Sequence, residues 1–377
     1  MTSISTLLPT YATIDLAALA HNLSRIKRYL SPGCEIMAIV KANAYGHGSV
    51  EIAQALAKQG VKQFAVASLD EGIALRQAGI TTSIVVLGAL FEEQVPDLVA
   101  HRLTPVVSDR PILPALGKAT RSYPAPYQIH LKVETGMGRL GFSPEELLAV
   151  LDNPLLLSPL KVEGLMTHLA DADGSDSDFT ERQIVAFQAL LEQTRQRGFT
   201  IPVVHAANSA AIVRFPHAHF SLVRPGIMLY GYHTLPATIP DPDLRPVLSL
   251  RTTVAQLRTI PQGSTVSYNR TFTAKRQTRI AVLPIGYADG YSRQLSHRGS
   301  VLIQGRRAPI VGLVCMDMIM VDVTDFATVQ VGETVTLIGQ QGQESIWADE
   351  VADWIGTIPY EVLCGIGSRV PRLYESA

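Results

Sequence analysis

The sequence is poor in cysteine, in net charge and in long apolar runs. Three cysteines occur, Cys34, Cys315 and Cys364, far apart and without metal-ligand spacing. An odd, scattered set argues against a disulfide framework and fits a reducing, cytoplasmic setting. Lysine and arginine number 32 against 33 acidic residues, interspersed along the chain, for a net charge of −1. That excludes the basic footprint of a nucleic-acid binder. No stretch reaches the roughly 18 apolar residues needed to span a bilayer, so no membrane partner is expected. The opening MTSISTLLPT lacks a basic start followed by a long apolar run, so a secretory leader is not expected either. Apolar residues are plentiful, 47% of 377, enough for a sizeable core over a length that suggests two domains.

Over the first two-thirds of the chain, short apolar runs alternate with helical patterns. Strands are expected near 36–40, 64–67, 84–87, 105–107, 127–133, 164–167, 203–205 and 221–223, most of them followed by a helical segment. Ser68 with Glu71 forms a capping box, and Ser143, Pro144 and Glu146 give a second helix start. Thr13-Ile14-Asp15 reads as the capped beginning of a first helix. Parallel strands need helical crossovers, and eight strand–helix units over such a span suit a closed (β/α)8 TIM-type barrel, with an open doubly wound sheet as the alternative. A proline-rich segment, HTLPATIPDPDLRPVL, follows, and beyond it lie short strand-like runs near 250–257, 279–283, 301–303, 308–313, 320–323 and 334–338. The fold class is therefore α/β, with a barrel over residues 1–240 and a mainly β C-terminal domain over 241–377.

Lys41 directly follows the first expected barrel strand, which puts it at the C-terminal mouth where catalytic groups gather. A lysine that attacks a carbonyl must spend time as a neutral amine, so burial or nearby cations must lower its usual pKa of about 10.4. Read alone it is an ordinary surface lysine. The run around it, VKANAYGHG at 40–48, resembles the cofactor-lysine motif of the alanine racemases. The resemblance continues in LKVETGMGRLGF at 131–142, HAANSAA at 205–211, VRPGIMLYG at 223–231, VSYNRTF at 266–272, PIGYADGYSR at 284–293, VCMDMIMVDV at 314–323 and YEVLCGIGSRVPR at 360–372.

That resemblance implies a pyridoxal 5'-phosphate enzyme that interconverts L- and D-alanine, working as a homodimer with shared active sites. Lys41 would carry the cofactor and serve the face that handles the α-proton of D-alanine. Tyr268 would be the second base, supplied by the other subunit, because one lysine cannot easily reach both faces of a flattened α-carbon. Tyr45 and Tyr360 would contact the cofactor phosphate, together with Asn208 and Ser209 after the seventh strand and Gly226 and Ile227 after the eighth. Small residues there let backbone N–H groups approach an anion. Arg224 would face the pyridine nitrogen and, as a permanent cation that only donates, discourage its protonation. Arg139 would reach the cofactor's phenolic oxygen and the substrate carboxylate. Lys132 would steady Arg139, with something anionic needed between the two, a carbamate in many members of the family. His168 would pack on the cofactor ring. Met316 and Tyr287, again from the partner, would contact the substrate, with Asp317 supporting that segment. Without the resemblance, Tyr268 reads as an ordinary tyrosine of the β domain and Arg224 as a surface ion-pairing residue.

Other signals are weaker. His217 and His219 lack a third ligand, so no metal is expected. Gly136-Met137-Gly138 is not a nucleotide fingerprint, and DADGSDSD at 171–178 lacks the terminal glutamate of a calcium loop. Three other functions compete: a racemase that also accepts serine, a decarboxylase of basic amino acids on the same plan, and a non-catalytic binder of the cofactor. Arg224 argues against the decarboxylase, which profits from an acidic partner at that nitrogen, and the β domain argues against the binder.

Overall fold

The computed structural model describes residues 8–375 and divides into two compact units. One comprises Ala20–Ala44 with Ser49–Leu244; the other comprises the segment up to Leu19, Tyr45–Gly48, and the chain from Arg245.

The first unit is built on eight parallel strands in the order Val203–His205, Leu160–Met166, Tyr127–Lys132, Thr104–Val107, Ser83–Val86, Gln63–Val66, Glu35–Ile39 and Leu222–Val223. All eight strands expected from the sequence are present, each within a few residues of its expected limits. The remaining seam, between Val203–His205 and Leu222–Val223, is bridged by Ser221 N–H donating to the Val204 carbonyl at 3.2 Å and Arg224 N–H to the Ala207 carbonyl at 2.9 Å. Strands covered on both faces need no apolar–polar alternation; accordingly Phe64, Ala65 and Val66 are consecutive and all fully buried. Both capping boxes form, at Ser68 with Glu71 and at Ser143 with Glu146. The longest helix, Asp178–Gln196, buries Thr180, Gln183, Ile184, Phe187, Leu190 and Thr194, the spacing of one helical face.

The second unit is mainly β. Its large sheet runs Arg306–Pro309, Ser300–Ile303, Thr334–Gln341, Leu248–Thr253, Tyr11–Asp15 and Arg372–Glu375. A three-stranded sheet joins Gln256–Ile260, Thr278–Leu283 and Ile319–Asp322. Three expectations change here. Tyr11–Asp15 is a strand, paired antiparallel to Leu248–Thr253 and parallel to Arg372–Glu375, so the start of the chain belongs with the C-terminal sheet. Asp15 still caps the following helix, accepting from Ala17 and Ala18 N–H at 2.8 Å each. The run at 250–257 is two strands that belong to different sheets. Two short helices, Ala348–Ile355 and Pro359–Gly365, lie where no helix was expected. Among the described residues no helix is long and apolar enough to cross a membrane.

Candidate active site

Lys41 stands just past the end of Glu35–Ile39, half-buried, and the backbone after it is unusual. Ala42, Asn43, Ala44 and Tyr45 all have φ near +52°, a left-handed turn built without glycine. Each such residue costs about 1–2 kcal/mol, so the turn needs specific support. Ala44 N–H donates to the Val40 carbonyl at 2.9 Å, and the Asn43 side chain accepts from Ser49 N–H at 3.0 Å. The Glu71 carboxylate accepts from Ala42 N–H at 2.6 Å through one oxygen and from Ala67 N–H at 2.7 Å through the other. It thus ties the lysine turn to the end of the next strand. Glu71 was legible in the sequence as a helix cap; its reach to residue 42 was not. Glu71→Ala leaves three backbone donors, those of Ala42, Ala67 and Ser68, short of a charged acceptor and is expected to destabilise the fold by about 1–3 kcal/mol, read from chemical denaturation. An unchanged midpoint would mean that water replaces the carboxylate at no cost.

Across the same mouth lies a buried polar chain. Arg224 is 4% exposed. Its Nη1 lies 3.0 Å from His205 Nδ1, and its Nη2 donates to the Thr167 and Ala206 carbonyls at 2.9 Å and lies 3.2 Å from His168 Nδ1. His205 Nε2 in turn lies 3.0 Å from His130 Nδ1. Arginine can only donate, so His205 Nδ1 must be an acceptor and its Nε2 carries the proton, which is donated on to His130. Burial, with the Arg224 charge second, lowers His130 to about 4. The same two causes, joined by Arg139, Lys132 and Lys41, lower His168 to about 3. His205 falls well below its usual range for burial first, then Arg224 and His130. All three imidazoles are therefore neutral near pH 7. Burial brings the Arg224 guanidinium down to about 9, still ionised at neutral pH. Gly164 makes room for the His130 ring: a Cβ there would sit 2.4 Å from it. His130 and His205 were missed as site residues from the sequence, although His205 opens the motif HAANSAA.

Lys132, on the strand Tyr127–Lys132, is 5% exposed. Burial lowers its amine to about 8, helped by Arg139, Arg224 and Lys41, while Glu134 pulls the other way. Glu134 is itself engaged by the loop that carries Arg139, accepting from the N–H groups of Gly136 and Met137 at 2.5 Å and of Arg139 at 3.3 Å. Burial would raise that carboxyl, but these backbone donors outweigh it and hold it below its ordinary value. Gln183 reaches the same region, bonding the Thr135 hydroxyl and the His168 carbonyl at 3.1 Å each. The mouth thus gathers Lys41, Lys132, Arg139 and Arg224, with the nearby carboxylate Glu134 occupied by backbone. This donor set fits a ligand carrying several negative oxygens.

The residues expected to hold a phosphate divide into two groups. Asn208 caps the helix Ser209–Arg214 by accepting from Ala211 N–H at 3.0 Å, and the Ser209 hydroxyl accepts from Gly226 N–H at 2.9 Å. The Gly226 donor therefore already has a partner, next to Ile227, which opens a short 3-10 turn. Tyr45 and Tyr360 belong to the second unit, with ring centroids 5.8 Å apart. Burial raises the Tyr45 phenol above its ordinary value, with Tyr360 and Cys364 adding to it. Gly46, beside Tyr45, has no room for a Cβ, which would lie 2.2 Å from the Leu363 carbonyl oxygen.

The other expected residues of the second unit meet around one segment. Tyr268, Met316, Asp317 and Met318 line a groove of about 700 Å³. Tyr287 N–H donates to the Cys315 carbonyl at 3.1 Å and Ala288 N–H to that of Met316 at 3.0 Å. Tyr268 is 69% exposed, Met316 53%, Met318 50% and Tyr287 44%, high values for large apolar side chains. Asp317 accepts from Arg369 at 2.8 Å, and Arg369 also pairs with Asp289 at 3.3 Å. His217 and His219 go elsewhere: the first pairs with Glu181 at 2.9 Å, and the second is buried against the Ile212 carbonyl at 2.8 Å.

Known proteins match the chain along its length. Residues 14–234 match the alanine racemase N-terminal domain and residues 247–374 the alanine racemase C-terminal domain. Alanine racemase of Carboxydothermus hydrogenoformans is 46% identical over 97% of this chain and 99% of its own, and that of Halothermothrix orenii 43% identical over 98% and 97%. Among solved structures, alanine racemase of Bacillus anthracis with bound L-Ala-P superimposes with a TM-score of 0.92 at 37% identity, covering 98% of this chain and 95% of that one. The Clostridium difficile enzyme gives 0.92 at 35% identity, over 98% and 96%. With both domain models matched in order and full-length relatives above 40% identity, the chain belongs to the alanine racemase family.

Proposed function

We propose that the protein racemises alanine with pyridoxal phosphate at Lys41, proton transfer being shared between Lys41 and the partner's Tyr268. The carrying observation is Arg224, a buried cation whose described partners are imidazoles and carbonyls. Bound there, pyridoxal phosphate supplies an electron sink that acidifies the substrate's α-C–H. Arg224 would give the cofactor's ring nitrogen a donor but no readily released proton, which would restrain that sink and suit reversible proton exchange over decarboxylation or amino transfer. Arg139 would offer its guanidinium to the substrate carboxylate and the cofactor's phenolic oxygen, and His168 would support the ring. Asn208, Ser209, Gly226 and Ile227 would hold the phosphate, and Tyr45 and Tyr360 would offer it their phenols. The amine of Lys41 exchanges the α-proton of D-alanine, and the phenol of the partner's Tyr268 exchanges that of L-alanine.

The second copy is supported by the exposed Tyr268, Tyr287, Met316 and Met318, since monomers rarely leave such clusters in water. In the dimer, Met316 and Tyr287 bound the substrate side chain, with Asp317 and Arg369 bracing the segment. A methyl and a hydroxymethyl differ there by only about 1–3 kcal/mol, so serine is the competing substrate. We place the enzyme in the cytoplasm, supplying D-alanine for peptidoglycan. The deciding assay incubates the purified enzyme and pyridoxal phosphate with single L-amino acids and follows circular dichroism. Ellipticity should vanish with L-alanine; a steady signal with alanine would end this reading. Borohydride should fix the cofactor to Lys41, and a label on another lysine would remove Lys41 from its role.

Lys132 gives a separate prediction. Burial, with neighbouring cations second, lowers its amine to about 8 from the ordinary 10.5, so it is readily neutral and able to add carbon dioxide with loss of a proton, forming the anion that would bridge to Arg139. With 13C-bicarbonate, a carbamate NMR signal is expected that disappears in Lys132→Ala. In carbon-dioxide-free buffer the unfolded chain holds more protons than the folded one between about pH 8 and 10.5. Stability from this group should then rise with pH across that window, and bicarbonate should extend the rise below pH 8, because forming the carbamate from the protonated amine and bicarbonate releases that same proton along with water.

A further inference from the structure

The backbone that presents Tyr268 is strained on both sides of the phenol. Ser267 has φ +69° and ψ −177°, a region populated essentially by glycine. Asn269 at φ +58° and Arg270 at φ +53° follow. A serine persists in such a conformation only where its surroundings over-determine it. Here the Ser267 hydroxyl donates to the Leu313 carbonyl at 2.7 Å and lies 3.6 Å from Cys315 Sγ. The facing position is shaped to receive it: Gly312 has φ +75°, and a Cβ there would fall 2.6 Å from Ser267 Cβ. The segment so gripped, Leu313 to Met318, is also the one that binds the Tyr287 and Ala288 N–H groups through the Cys315 and Met316 carbonyls. One serine hydroxyl therefore joins the turn of Tyr268 to the segment that carries Met316.

We propose that Ser267 is a positioning residue that fixes the Tyr268 phenol relative to Met316, holding a strained turn in place through its bond to the Leu313 carbonyl. This rests on the reading of Tyr268 as the group that exchanges the α-proton of L-alanine. A serine that only shaped the turn would affect folding, and with it both substrate enantiomers alike. A positioning serine would affect one face of the substrate.

The test compares Ser267→Ala, Ser267→Gly and Tyr268→Phe as full-length holoenzymes at equal protein and cofactor concentration. Melting temperature and deuterium wash-in at the α-carbon of each alanine enantiomer in D2O are measured. Alanine keeps the strained Cβ and glycine removes it, so the glycine variant should melt about 2 °C or more above the alanine variant, the reverse of their usual order. Both should lose about 10–100-fold in wash-in from L-alanine, the size of loss that a displaced group causes, while wash-in from D-alanine stays near that of the parent. An alanine variant as stable as the glycine one would remove the strain. Proportional losses for both enantiomers, or no loss for either, would leave Ser267 without a positioning role. If Tyr268→Phe itself keeps full wash-in from L-alanine, the error lies in the reading of Tyr268, and the proposal falls with it.

Discussion

Replacing Tyr268 by phenylalanine is expected to slow racemisation about 10²–10⁴-fold, the contribution of a positioned proton-transfer group, and to slow it equally from either enantiomer. The equality is thermodynamic. L- and D-alanine have the same free energy in water, so kcat/KM must match in the two directions for any variant. The asymmetry of a two-base site shows instead in exchange with solvent: Lys41 should still exchange the proton of D-alanine, whereas exchange from L-alanine should fall with racemisation. The stability of the single chain's fold should hardly move, because the ring stays and the residue is 69% exposed there; surface changes of this kind usually fall within about 0.5 kcal/mol. Exchange from L-alanine that survives in the variant would remove Tyr268 from catalysis, and loss of exchange from both enantiomers together would end the division of the two faces between two bases.

The contrast between the two units explains what could be read before any coordinates. A barrel strand such as Gln63–Val66 holds an apolar run, Phe64–Ala65–Val66, and is followed by a capped helix, so local chemistry announces it. Tyr11–Asp15 mixes apolar residues with Thr13 and Asp15 and pairs with strands more than 230 residues away in sequence, and no local pattern reveals such a partner. The same holds for the site. Lys41, Arg139 and Arg224 stand in distinctive runs, and resemblance supplied their roles. The left-handed turn after Lys41, Ala42–Tyr45, contains no glycine that would betray it, and the acceptor that braces it, Glu71, arrives from the first turn of another helix. His130 looks like any buried strand residue until His205 is seen beside it.

Arg224→Lys conserves the charge and is nonetheless expected to damage both the stability and the activity of the barrel. The guanidinium reaches four acceptors in different directions, His205, His168 and the carbonyls of Thr167 and Ala206, from two nitrogens set in a rigid plane. A lysine ammonium is a single point on a shorter stem and cannot span them, so at least one buried carbonyl and His205 Nδ1 lose their donor. Orphaned buried acceptors cost about 1–3 kcal/mol each, or about 2–6 kcal/mol for the two, measurable as a fall in denaturation midpoint. A lysine buried there also deprotonates readily, which weakens the cationic field that depresses the histidines. His168 should then titrate above its present value of about 3, though still below the ordinary range because burial, the larger cause, remains. Racemisation should drop about 10²-fold as the mouth loses its fixed donors. A lysine variant with parental stability and rate would show that Arg224 contributes charge alone, and the restrained electron sink on which the choice of racemase over decarboxylase rests would have to be sought in another residue.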